Sequence, residues 1–194
     1  MDKAGKNLFA AGILQLCLFT VFTFFVSRGF FALIDERFYR LTGYNRLFVT
    51  ASDALGFVSI AFAAFFAVCG LAQLIHGKSI RSVDRRIIVI GFMYVAMFVL
   101  YVLFDKLALN VRPDGTEASY PSSHTMLFVC VNTTAIYMAD CFVKKNAKVF
   151  KIAVLALTAA GVVLRLLSGC HWLSDIFGSL LLSSSLTTLF FALV

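Results

Sequence analysis

Residues 54–75 read ALGFVSIAFAAFFAVCGLAQLI, an uninterrupted run without a charged side chain between Asp53 and His76. A helix needs about 20 mostly apolar residues to cross the hydrocarbon core of a bilayer, so this run predicts a membrane span. The small residues within AFAAFFAVCG suit close packing against other helices. Five further runs are long and mostly apolar: residues 7–27, 87–104, 124–143 with Asp140 at its far end, 149–167 with Arg165 near its end, and 176–194. Six spans predict an all-α polytopic membrane protein, a six-transmembrane-helix bundle formed as one domain over residues 1–194. The first run is long for the apolar part of a signal peptide and lacks an A-x-A cleavage pattern, so it is read as retained.

The composition agrees. Hydrophobic residues make up 61% of the 194-residue chain and charged residues 14%, and mean hydropathy is +0.92. A soluble domain is about 45–50% apolar and about 25% charged, so a soluble fold is excluded. Disorder is excluded on the same grounds. The net charge of +7 sits mostly between apolar runs. It therefore points to lipid headgroups and membrane orientation, and no nucleic-acid partner is expected. Cys17, Cys69, Cys130, Cys141 and Cys170 show no metal-ligand spacing and read as small buried hydrophobes. No metal and no cofactor are expected.

Six spans put both termini on one side. That side carries Lys3, Lys6, Lys78, Arg81, Arg85, Arg86, Lys144, Lys145, Lys148 and Lys151; the other carries Arg28, Arg37, Arg40, Arg46, Lys106, Arg112 and Arg165. The basic excess marks the cytoplasm. The termini are expected inside, and the first, third and fifth loops outside. Residues 35–53 mix aromatic and charged side chains and read as an interfacial helix.

The third and fifth loops share a face and concentrate the polar groups that are costly at membrane depth. Arg165, His171 and Asp175 form R-x5-H-x3-D. Asp175 lies four residues after His171, close enough for its carboxylate to hold one imidazole nitrogen and free the other as a nucleophile. Pro121-Ser122-Ser123-His124 opens the fourth span, where unpaired helix N–H groups favour an anion. Arg112, Arg165 and Lys106 add positive charge. Two imidazoles, two arginines and a helix N-terminus describe a phosphoryl-transfer site. Asp114 and Glu117 read as solvated loop residues, or as contacts to a polar headgroup. Trp172 reads as an interface anchor.

At these residues the chain resembles the membrane branch of the type 2 phosphatidic acid phosphatases, which share a core with vanadium haloperoxidases. That family carries K-x6-RP, PSGH and SR-x5-H-x3-D in order. Here Arg112-Pro113 ends the first motif, Pro121-Ser122-Ser123-His124 gives the second with Ser123 for glycine, and Arg165, His171 and Asp175 give the third with Leu164 for serine. The motif region spans residues 105–175. The resemblance implies a metal-free phosphatase with a phosphohistidine intermediate. His171 would be the nucleophile, Asp175 its orienting partner, and His124 the acid and then the base. Arg112, Arg165, Ser122 and Ser123 would hold the phosphate. The first motif departs from the pattern: Asp105 stands where the lysine belongs, and Lys106 is one residue too close. Lys106 is expected to supply the charge and Asp105 to turn away.

The reading is a lipid phosphatase acting on a monoester or diphosphate, on the outer face of a bacterial cell membrane. Isoprenoid diphosphates such as undecaprenyl diphosphate rank first, then phosphatidylglycerol phosphate or phosphatidic acid. A lipid A phosphatase and a lipid phosphotransferase using the same site are alternatives. A small transporter would spread its charges through the spans, whereas here they collect on one side; an inactive scaffold is the remaining alternative.

Overall fold

A computed structural model describes residues 2–194. Seven α-helices follow in order: α1 (Lys3–Ser27), α2 (Ala32–Thr42), α3 (Arg46–Gly77), α4 (Arg85–Leu107), α5 (Ser123–Phe142), α6 (Ala147–Leu167) and α7 (Leu173–Leu193). All but α2 are long and apolar enough to cross a membrane. The chain is an all-α integral membrane protein.

The spans divide into two classes by burial. In α5 and α7, 56% and 50% of the most apolar window is buried inside the protein, against 17–22% in the other four. The pair α5 and α7 therefore forms the centre, with α1 packed on α7, α6 on α5, and α3 against both α5 and α6. The outer helices present Leu14, Val21, Phe57, Phe92, Val95 and Val149 outward, as a lipid solvent requires. Between helices there is no hydrophobic drive to separate from lipid, so small residues and hydrogen bonds hold the contacts. At Gly12, a Cβ would fall 2.7 Å from the Leu189 side chain, and Ser185 donates to the Gly12 carbonyl at 2.8 Å. At Gly161, a Cβ would meet the Phe128 ring at the same distance.

The helix starts follow from the residues before them. Asp2, Asn45, Asp84 and Ser122 each accept a backbone N–H from the first turn, so one of the unpaired donors at each of these helix starts is satisfied.

Two boundaries differ from the sequence expectation. The interfacial helix ends at Thr42, and Gly43, at φ 63°, turns the chain. Residues 46–53 then belong to α3, which runs 32 residues. The reason is Asp53, which does not end the span: it is paired within the bundle, so the helix continues past it. The last helix begins at Leu173, two residues after His171, which lies in the preceding turn.

Candidate active site

The site sits at the ends of α4 to α7 on one side of the bundle. Asp175 is fully buried in the first turn of α7. Its Oδ2 accepts the Trp172 backbone N–H at 2.9 Å, and its Oδ1 accepts from the Asn110 amide at 3.0 Å. Oδ2 also lies 3.5 Å from His171 Nδ1. At that distance Nδ1 faces the carboxylate without a close hydrogen bond, and Nε2, on the far side of the ring, has no partner either. Burial holds the His171 imidazole below its ordinary pKa, against the opposing pull of Asp175.

The turn carrying His171 is held from the side of α2 and α3. The Asn45 N–H donates to the Ser168 carbonyl at 2.9 Å. Asp35 of α2 accepts both the Ser174 N–H at 2.8 Å and its hydroxyl at 2.6 Å, and burial raises its pKa. The Tyr39 and Trp172 rings stand 5.7 Å apart.

Arg112 lies in a loop closed on itself. Its N–H donates to the Glu117 carbonyl at 2.9 Å, Val111 and Ala118 form a β-bridge, and its guanidinium pairs with Glu117 at 2.9 Å. Arg112 Nε is buried without a partner. The adjoining Ser122 caps α5: its Oγ accepts the Thr125 hydroxyl at 3.1 Å, and its carbonyl accepts from Ser179 at 3.0 Å. Ser122 is fully buried, so its hydroxyl serves the cap, while the neighbouring Ser123 lines a cavity.

Arg165, near the end of α6, is buried and donates in three directions: to Ser52 Oγ at 3.0 Å, to Asp53 Oδ1 at 2.8 Å and to His124 Nδ1 at 3.1 Å. Asp53 Oδ1 is also 3.2 Å from His124 Nε2. Gly56 lies one turn along α3 and leaves room for that ring: a Cβ there would stand 3.3 Å from His124 Cδ2.

Three cavities meet here. A small inner one of about 60 Å³ is lined by His171, Arg112, Ser123, Asp105 and Glu117, among others. An outer one of about 450 Å³ is lined by Arg112, His124, Arg165, Asp53, Asp114 and Cys170, with Tyr44, Val49, Gly56, Phe57 and Ile60. Arg112 is common to both. The third, about 350 Å³, is apolar, with Ile60, Met97, Phe98, Tyr101, Met126 and Leu127 below Ser123 and His124.

The fold thus brings together His171, Asp175, Arg112, Ser123, His124 and Arg165. It does not bring Lys106. That side chain is exposed and outside these cavities, whereas Asp105 lines the inner one. Asp105 is exposed as well, but one residue on a helix is a rotation of about 100° and α4 continues to Leu107, so Asp105 borders the inner cavity and Lys106 does not. Four residues that touch the site or its supports carried no signal in the sequence. Asp35, Ser52 and Asp53 come from α2 and α3, far from the motifs, and Asn110 is an ordinary polar residue in a loop. Among the described residues no group of three or more His, Cys, Asp or Glu could hold a metal ion.

A six-span helical bundle with a buried histidine–aspartate pair, two arginines and a second histidine on one face defines a class of membrane protein. Residues 99–194 match the sequence profile of the PAP2 superfamily, and the chain belongs to that superfamily. The structure is similar to the crystal structure of a transmembrane PAP2-type phosphatidylglycerolphosphate phosphatase from Bacillus subtilis, with a TM-score of 0.66 over 93% of each chain at 15% identity. No curated protein matches the sequence.

Proposed function

We propose that the protein is a lipid phosphatase that hydrolyses a phosphate monoester or diphosphate through a phosphohistidine on His171. The observation that carries this reading is the pairing of His171 Nδ1 with buried Asp175, which leaves Nε2 free beside Arg112. In the first step Nε2 attacks phosphorus, the N–P bond forms, and the P–O bond to the leaving group breaks. His124, which takes up a proton as the dianionic phosphate binds, gives it to the departing oxygen and returns to the neutral ring. Arg112 and Arg165, with the Ser123 N–H, hold the phosphoryl oxygens as charge builds on them. In the second step His124 takes a proton from water, water attacks phosphorus, the N–P bond breaks, and inorganic phosphate leaves.

The lipid part of the reading rests on the apolar cavity that ends at Ser123 and His124. A hydrocarbon chain there stays in contact with α3, α4 and α5 while its phosphate reaches the arginines. Isoprenoid diphosphates rank first, then phosphatidylglycerol phosphate or phosphatidic acid. The structural relative is a phosphatidylglycerolphosphate phosphatase, which favours the second group for a test. The same site would act as a phosphotransferase if an alcohol replaced water. We place the protein in a bacterial cell membrane with termini inside and the site outside, on the basic-residue excess.

The test is phosphate release from a panel of purified lipid phosphates and diphosphates in detergent, for the wild type and His171→Ala. Release by the wild type with loss of several orders of magnitude in the variant is expected. Near-wild-type turnover by His171→Ala would sink the mechanism. Chelator should leave activity intact; loss restored by Mg²⁺ would point to metal-assisted chemistry.

A further inference from the structure

We propose that Asp53 is a tethered counter-anion that competes with phosphate for Arg165 and His124, and so keeps the affinity of the site for free phosphate low. The inference rests on the reading of this cavity as a phosphate site.

The contacts determine which atom holds which proton. A guanidinium only donates, so the 3.1 Å contact from Arg165 Nη2 requires a lone pair on His124 Nδ1. The ring proton is then on Nε2, where it faces Asp53 Oδ1 at 3.2 Å. The same oxygen accepts from Arg165 Nη1 at 2.8 Å. One carboxylate oxygen therefore sits between a guanidinium N–H and an imidazole N–H. These are the two donors that a phosphoryl oxygen needs from this side of the cavity.

Both anions cannot hold that place. Arg165 is the fixed partner: its side chain is 3% exposed, and Nη1 is also bound to Ser52. Asp53 is the movable one, 43% exposed and lining the outer cavity of about 450 Å³, where it has room to rotate. The other charged groups facing this cavity are Arg112 and Asp114. A lipid phosphate has its chain in the adjoining apolar cavity to help displace the carboxylate, whereas inorganic phosphate does not. The carboxylate would therefore favour anchored phosphates over free ones, and its return to Arg165 would help expel the product. Asp53 is a specificity-determining residue in this reading, acting on binding more than on the chemical step.

The measurement is inorganic phosphate binding to the purified protein in detergent, by calorimetry and as inhibition of lipid phosphate hydrolysis, for wild type, Asp53→Asn and Asp53→Glu. Removing a charge a few ångströms from an anion should tighten phosphate binding by about tenfold or more in Asp53→Asn; Asp53→Glu, which keeps the charge, should stay within about threefold of wild type. Unchanged or weaker phosphate binding in a folded Asp53→Asn would overturn the proposal and leave Asp53 a support for His124 alone. Because Asp53→Asn leaves the buried Arg165 charge uncompensated, a second measurement uses the wild type. Carbodiimide labelling of Asp53, read by mass spectrometry, should rise when orthovanadate is added, since the displaced carboxylate is freed; protection or no change would overturn the proposal. The two readings fail separately. A wild type inactive on every lipid phosphate, with phosphate binding still tightened in Asp53→Asn, removes the phosphatase reading and keeps the counter-anion. An active wild type with unaltered binding in Asp53→Asn does the reverse.

Discussion

His171 shows how burial and a carboxylate divide the labour on one side chain. Burial favours the neutral ring, and Asp175 orients it without a close bond, at 3.5 Å. A neutral ring is the nucleophilic form. The imidazole is held below its ordinary value of about 6.5, so the acid limb of kcat/KM that belongs to His171 should fall below that pH. The same displacement has a stability consequence. Below about pH 6.5 the unfolded chain takes up a proton that the folded one refuses. Stability from this group is therefore full above that pH and declines as pH is lowered through it. A thermal-melting series against pH should show the decline in wild type and a reduced one in His171→Gln. At the first motif the geometry changes the expectation: Asp105, not Lys106, lines the inner cavity. Lys106→Ala should alter phosphate release by no more than about threefold, as exposed substitutions do. Asp105→Asn should lower KM for a lipid phosphate, because a carboxylate beside the anion repels it. A loss of a hundredfold or more in Lys106→Ala would show that the lysine reaches the site after all.

Among the elements, α2 has the least apolar length and the most specific attachment. Its Asp35 caps the start of α7 through Ser174, and the turn after it, at Gly43, lies against Gly169. The turn that carries His171 is thereby gripped between α2, α3 and α7. Asp35→Ala should cost about 1 kcal/mol, the usual value of a helix cap, seen as a lower melting temperature in detergent. It should also lower kcat, since His171 and Asp175 both depend on the start of α7. Unchanged melting and unchanged kcat would show the cap to be dispensable. These supports were not legible in the sequence, and the reason is physical. A span is written in composition, because lipid imposes the same rule on each of its residues. A motif is written in spacing, because Arg165, His171 and Asp175 lie within ten residues of one another, across one turn between two helices. Asp53 and Asp35 meet their partners more than a hundred residues away, so no local pattern records them. A charge normally ends an apolar run, so in the sequence Asp53 looks like a boundary; its pairing with Arg165 removes that cost.

The whole molecule places two central helices inside four lipid-facing ones, with polar chemistry at one end. The family profile covers α5 to α7 and the last part of α4, while α1 to α3, which supply Asp35, Ser52 and Asp53, lie outside it. The proposed orientation rests on charge alone and is open to direct test. In a variant otherwise free of cysteine, Thr116→Cys should react with an impermeant thiol reagent in intact cells, and Asn146→Cys should not. The reverse pattern would overturn the assignment of sides. The central claim is that phosphate passes through His171. The most direct measurement is rapid mixing of the His124→Ala variant with a lipid diphosphate, quenching in alkali, and peptide mass spectrometry. With a lipid diphosphate, whose phosphate leaving group needs the acid least, removing the base that activates water should slow hydrolysis of the intermediate more than its formation and let it accumulate. The account predicts an alkali-stable, acid-labile phosphoryl group on the peptide containing His171, absent when His171→Ala is added. A phosphoryl group on Ser122 or Ser123 instead, or turnover with no phosphoryl group on His171 at any time point, would contradict it.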